Sequence, residues 1–291
     1  MAERVATGEA VPEEVRLVML RSRRRETVHK GRRTIWREWG KGKPMVLIHG
    51  GHGSWLHWLR NIDTLSRRFR VIAVDMPSYG ESDALEAEAG IQCYAEHVAM
   101  GLDRILSGEH ATLCGFSFGG VVAGYVAGRL GDALSHVIFV GTGGLALTRP
   151  PMAEMVRWRG VPHPACEQAH RRNLEILMIH DPAEVDDVAV WIQAHNAERT
   201  RGLSRPISLT DTLARQLPHL GQQLTFIWGE QDATAKGYLE ERRSLLSQLA
   251  PHAGFSIVPG AGHWLQYEHP EGFEQALRRH VPIDTTGTPA G

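Results

Sequence analysis

The chain has 291 residues, 42% of them hydrophobic, which suffices for one large core and fits a single α/β domain carrying one insertion. Its formal net charge of −1, from 32 basic and 33 acidic residues, supplies no global field for nucleic acid or an anionic membrane, so neither is an expected partner. Three widely spaced cysteines, Cys93, Cys114 and Cys166, lack metal-ligand spacing and read as free thiols in a reducing cytoplasm; no apolar run reaches the length of a membrane span or a secretory signal.

Residues 1–24 are polar and weakly periodic, and with residues 283–291 they are expected to form flexible termini. The basic cluster Arg21, Arg23, Arg24 and Arg25 reads as a solvated face. Residues 34–39 alternate in the manner of an edge strand, and residues 44–48 form a continuous apolar strand ending in His49-Gly50-Gly51. A helix is predicted over 54–69, a strand over 71–74 and a helix over 94–106. A short buried strand, 111–114, precedes a small-residue helix over 120–128. Strands follow at 136–140, 224–228 and 255–258, with helices at 238–249 and 271–280. Apolar strands alternating with helices predict an α/β fold with a mostly parallel, doubly wound sheet.

Between about 145 and 217 no buried-strand run occurs. Helical segments at 152–159, 166–179 and 182–197 and a polar stretch over 199–213 predict a helical cap inserted after the sixth strand. The expected division is a core of residues 25–144 and 218–282 with a cap of residues 145–217.

The chemistry-bearing stretch is Cys114-Gly115-Phe116-Ser117-Phe118-Gly119-Gly120, a serine in a G-x-S-x-G frame between strand and helix, the sequence form of a nucleophile elbow. A serine needs a base to take its proton. His263, in Gly260-Ala261-Gly262-His263-Trp264, follows the last strand, and Asp232 lies just beyond the strand ending at Trp228, so the order is Ser, acid, His. Glu230 is the alternative acid. The loop His49-Gly50-Gly51-His52-Gly53 and the residue after the nucleophile are the expected oxyanion donors, through the N–H groups of Gly51 and Phe118. Gly50, His52, Phe116 and Trp264 flank these groups and are expected substrate contacts, although His52 also reads as a loop histidine satisfied by backbone. Trp55, Trp58, Trp158, Trp191 and Trp264 either line an aromatic pocket or pack in the core. His49 and His52 lack a third metal ligand, and neither a metal nor a cofactor is expected.

Together these motifs resemble the α/β-hydrolase superfamily from about residue 49 to 280, including Asp75-Met76-Pro77-Ser78-Tyr79-Gly80-Glu81-Ser82. Within it, His263-Trp264-Leu265-Gln266-Tyr267-Glu268-His269 and Val140-Gly141-Thr142-Gly143-Gly144 are similar to the meta-cleavage-product hydrolases. Those enzymes cut a carbon–carbon bond in ring-cleavage diketones. The resemblance implies a helical cap over a hydrophobic pocket.

Two positions depart from that family: Phe116 stands where it has Asn, and Gln193 aligns with a cap arginine that holds the substrate carboxylate. Ser78 replaces a glycine common in the superfamily. Arg199, Arg201 and Arg205 are the cap cations that could substitute. A serine nucleophile sets the chain apart from the dehalogenases and epoxide hydrolases, which use aspartate. The expected activity is hydrolysis of a small hydrophobic acyl compound, a carboxylic ester ahead of a carbon–carbon bond. A small-molecule receptor on a hydrolase fold is the reading from a different class. The expected partner is a small-molecule substrate, and the sequence is compatible with a homodimer.

Overall fold

The computed structural model describes residues 10–281. Its eight strands are β1 (Arg23–His29), β2 (Arg32–Trp39), β3 (Lys43–Ile48), β4 (Phe69–Asp75), β5 (Ala111–Phe116), β6 (Leu134–Val140), β7 (Gln223–Gly229) and β8 (Gly254–Val258). They form one sheet in the order β1-β2-β4-β3-β5-β6-β7-β8. The β1–β2 and β2–β4 pairs are antiparallel and the rest parallel. The helices are α1 (Glu13–Leu20), α2 (Leu59–Ser66), α3 (Ile91–Leu106), α4 (Phe118–Leu130), α5 (Ala165–Asn173), α6 (Asp187–Arg199), α7 (Arg205–Ser208), α8 (Thr212–Gln216), α9 (Leu239–Leu249), α10 (Leu265–Glu268) and α11 (Pro270–Arg278).

The central strands are apolar without interruption because both faces are covered. Alternate residues feed two separate cores: Met45, Leu47, Cys114 and Ile138 face one, Val46, Ile48, Leu113 and Val137 the other. This is the doubly wound arrangement expected from sequence. Parallel order brings the C-terminal ends of β3, β5, β6, β7 and β8 to one edge, where an open α/β sheet places its ligands.

The structure corrects several expectations. Residues 34–39 belong to β2, which is not the edge, since β1 pairs outside it. The β1 sequence Arg-Arg-Arg-Glu-Thr-Val-His is charged, as suits a strand whose outer side meets solvent. The expected flexible N-terminus contains α1, which buries Val15 and Val18 and accepts a bond from Trp39 Nε1 at Val18 O, 2.8 Å. Residues 1–9 and the expected tail at 283–291 lie outside the described residues.

Residues 152–159 are not helical. Asn173 holds this segment by both backbone groups of Val156, at 2.7 and 2.9 Å, bonds that a helix would require for itself. The stretch α7–α8, assigned to the cap from sequence, packs on α4 instead. Leu213 and Leu217 are buried in the core with Val121 and Val126, and Gly124 of α4 leaves the room that Leu213 fills.

Candidate active site

Ser117 sits between the end of β5 and the start of α4 with φ +53° and ψ −115°, a strained conformation for a residue with a side chain. Close packing enforces it. A Cβ on Gly115 would meet the Gly119 carbonyl, one on Gly119 the carbonyls of Ile48 and His49, and one on Gly120 the Thr142 hydroxyl. The turn therefore needs all three glycines, and it leaves the serine hydroxyl standing at the sheet edge.

There Ser117 Oγ–H donates to His263 Nε2 at 3.0 Å, and His263 Nδ1–H donates to Asp232 Oδ2 at 2.9 Å. Asp232 is fully buried, and its other oxygen accepts from Thr234 N–H at 2.7 Å and Thr234 Oγ1 at 2.8 Å. Burial works to raise its pKa, but the His263 ring and the bonds from His263 and Thr234 outweigh burial and hold the carboxyl below its usual range. Glu230, the alternative acid, binds Gly260 N–H at 3.0 Å. The structure thus brings Ser117, His263 and Asp232 into one relay.

The loop after β3 borders the same space. Gly50 N–H donates to His57 Nδ1 at 3.2 Å, which engages that amide, and Gly51 borders the cavity together with Ser117. Phe118 opens α4, and its N–H belongs to the helix N-terminus, where no intrahelical carbonyl can accept it. His49 is structural: Nδ1–H donates to Gly50 O at 2.7 Å, Nε2 accepts from Met76 N–H at 2.9 Å, and burial lowers its pKa to about 4. Ser78 has a positive φ, +71°, in the left-handed region that favours glycine. Among the described residues no three His, Cys, Asp or Glu side chains are grouped to hold a metal ion.

Above the serine opens a cavity of about 1020 Å³. Gly50, Gly51, His52, Phe116, Phe118 and Gln193 all border it, as expected from sequence. Trp264 does not. It is fully buried, donates from Nε1 to His57 O at 2.8 Å and stacks on Tyr267 at 4.1 Å between ring centroids, so its role is packing behind the histidine loop. Of the other four tryptophans named above, only Trp158 borders the cavity.

Sequence reasoning missed Arg149, Arg157 and Arg159, which line the cavity with Arg205. None of the four forms an ion pair with a carboxylate among the described residues; Arg149, Arg157 and Arg159 bond instead to the carbonyls of Ser208, Arg159 and Ala197. Arg201, by contrast, is tied to the carbonyls of Gly80 and Ser82. Asn173 and Thr234 were also missed, although Thr234 follows Asp232 by two residues, the reach of a local side-chain to backbone bond.

Among the described residues no helix is long and apolar enough to cross a membrane. Residues 45–276 match the alpha/beta hydrolase family. The chain is 27% identical over 261 residues to the 2-hydroxy-6-oxononadienedioate/2-hydroxy-6-oxononatrienedioate hydrolase of Paraburkholderia phymatum, covering 84% of this chain and 89% of the relative. Among solved structures, a carboxylesterase from Bacillus subtilis matches with TM-score 0.72 at 20% identity, over 92% of this chain and 94% of the other. A meta-cleavage product hydrolase from Pseudomonas fluorescens IP01 matches with TM-score 0.70 at 23% identity, over 88% and 96%.

Proposed function

Because this chain belongs to the alpha/beta hydrolase family, we propose that it is a serine hydrolase in which Ser117 attacks the carbonyl of a small acyl substrate, a carboxylic ester first. In the proposed course, His263 Nε2 takes the serine proton as the Oγ–carbon bond forms, and Asp232 stabilises the imidazolium. The N–H groups of Gly51 and Phe118 receive the tetrahedral oxyanion. The imidazolium then protonates the departing alkoxide. Water, deprotonated by His263, releases the acid from the acyl-enzyme and restores Ser117. The observation that carries the reading is the relay from Ser117 Oγ through His263 to buried Asp232, bonded at 3.0 and 2.9 Å on the floor of the cavity.

A second reading, carbon–carbon bond hydrolysis of an anionic ring-cleavage diketone, has its own support. Arg149, Arg157, Arg159 and Arg205 line the cavity without carboxylate partners among the described residues, and a guanidinium left in this way suits a substrate carboxylate. The Paraburkholderia relative bears the name of a hydrolase of such dioates. Wild type and Ser117→Ala should be assayed on short and aromatic p-nitrophenyl esters and on a ring-fission diketone. Ester turnover that falls roughly a thousandfold or more in Ser117→Ala is the expected result. Diketone turnover far above that of the esters reverses the ordering, and turnover retained by Ser117→Ala removes the serine from the mechanism.

A further inference from the structure

Glu268 ends α10, five residues past His263, and is only 4% exposed. Its carboxylate collects three backbone N–H groups from two distant parts of the chain. Oε1 accepts from His180 at 2.9 Å and Asp181 at 2.8 Å, and Oε2 accepts from Gly262 at 2.6 Å. His180 and Asp181 lie in the inserted segment, just past the π-helical turn Leu174–Met178, whose Leu177 and Met178 line the cavity. Gly262 immediately precedes His263. A fourth bond reinforces the junction, Trp264 N–H to Met178 O at 2.6 Å.

We propose that Glu268 is a positioning residue: it fixes the loop that carries His263 and fastens that loop to the cavity wall contributed by the cap. The inference rests on the reading of His263 as the base. Only an ionised carboxylate is an acceptor at both oxygens; an amide of the same size turns one of them into a donor facing an N–H. Space at the junction is equally restricted. A Cβ on Gly262 would lie 2.7 Å from His180 N and 2.8 Å from Glu268 Oε2, so the loop and the cap segment meet backbone to backbone. Movement of the wall at Met178 is thereby transmitted to the residue beside the base, and binding against that wall steadies the base.

Glu268→Gln keeps the volume and breaks the acceptor pattern. Per folded enzyme, its kcat on p-nitrophenyl butyrate should fall about tenfold with KM within threefold of wild type, and Glu268→Asp should recover part of the loss. Phosphonylation of Ser117 by an irreversible phosphonate, which also draws on His263, should slow by the same factor as kcat. Hydrogen exchange in Glu268→Gln should speed up at residues 177–181 and 261–264 together and leave the sheet unchanged.

A kcat within twofold of wild type, or a uniform rise in exchange across the molecule, overturns the proposal. Wild type alone also tests it, should the variant not fold. The amides of His180, Asp181 and Gly262 should open together, with protection matched within threefold; a mismatch beyond tenfold overturns the coupling. The two readings fail separately. Turnover retained by Ser117→Ala refutes the catalytic reading whatever Glu268 does, whereas an inactive Ser117→Ala beside a wild-type-like Glu268→Gln refutes the coupling alone.

Discussion

At Gly51 the space for a side chain is already taken. A Cβ there would collide with Ser204 Oγ and stand 2.9 Å from Ser204 Cβ, and Ser204 is itself only 8% exposed. Gly51→Ala must therefore displace the loop against Ser204, and with it the N–H proposed to receive the oxyanion. Loss of one such donor costs on the order of 3 kcal/mol in the transition state, so kcat should fall about a hundredfold with a smaller change in KM. Adding Ser204→Gly removes the collision, and the double variant should regain about tenfold in steady-state assays. No recovery would mean that Ser204 does not set the loop position. Ser117, Asp232 and His263 were legible in the sequence because each follows a strand end, in a fixed order. Trp264 was not, since an aromatic beside a functional histidine looks the same whether it faces the cavity or packs behind the loop. Glu268 stood in the sequence only as part of the stretch that carries the family resemblance, with no role of its own. Its partners are backbone amides, which any sequence can supply.

The segment 152–159 forms one wall of the cavity without a hydrogen-bonded ladder of its own. Its anchor is Asn173, which is 3% exposed and grips Val156 by both backbone groups. Each bond is worth about 1 kcal/mol net, and their loss leaves the wall free to depart from its observed position. Asn173→Ala should therefore lower the fraction of enzyme competent to bind and raise KM for a bulky aromatic ester about tenfold, with kcat within threefold. An unchanged KM would show that the segment does not hold the substrate. The sequence pattern here, Met152-Ala-Glu-Met-Val-Arg-Trp, reads as helical because its apolar spacing suits a helix. The same residues instead face a cavity, and no local rule separates the two surfaces. The central strands were legible for the opposite reason: a strand buried on both faces must be apolar throughout. Strand β1 is charged and defined by pairing alone, so periodicity could not find it.

Across the whole molecule, neutral histidines sit where protons cannot follow at moderate pH. His49 and His136, 0% and 3% exposed, each have a pKa lowered by burial to about 4. In His49 both ring nitrogens are already engaged, one as acceptor, and His136 Nε2 meets Thr225 Oγ1 across β6 and β7 at 2.9 Å. In the unfolded chain the same imidazoles take up protons near pH 6.5, which stabilises that state as pH falls. Their contribution to stability is thus complete above about pH 6.5 and is lost toward pH 4, about 2 kcal/mol from each by pH 5. Asp75 acts with the opposite sign. Its burial outweighs the N–H bonds it accepts from Trp55 and Glu81 and raises its pKa to about 6, so the folded form gains about 1 kcal/mol between pH 7 and pH 5. The imidazoles prevail, and because burial also lowers the pKa of His57 and brings that of His195 to about 4, stability should fall by at least about 3 kcal/mol over that range. Urea unfolding at pH 7 and pH 5 measures it directly. His136→Phe removes one of the titrating rings, so the pH-dependent loss should shrink by about 2 kcal/mol even though packing changes alter the absolute stability. An undiminished loss in that variant would remove His136 from the account of the acid sensitivity.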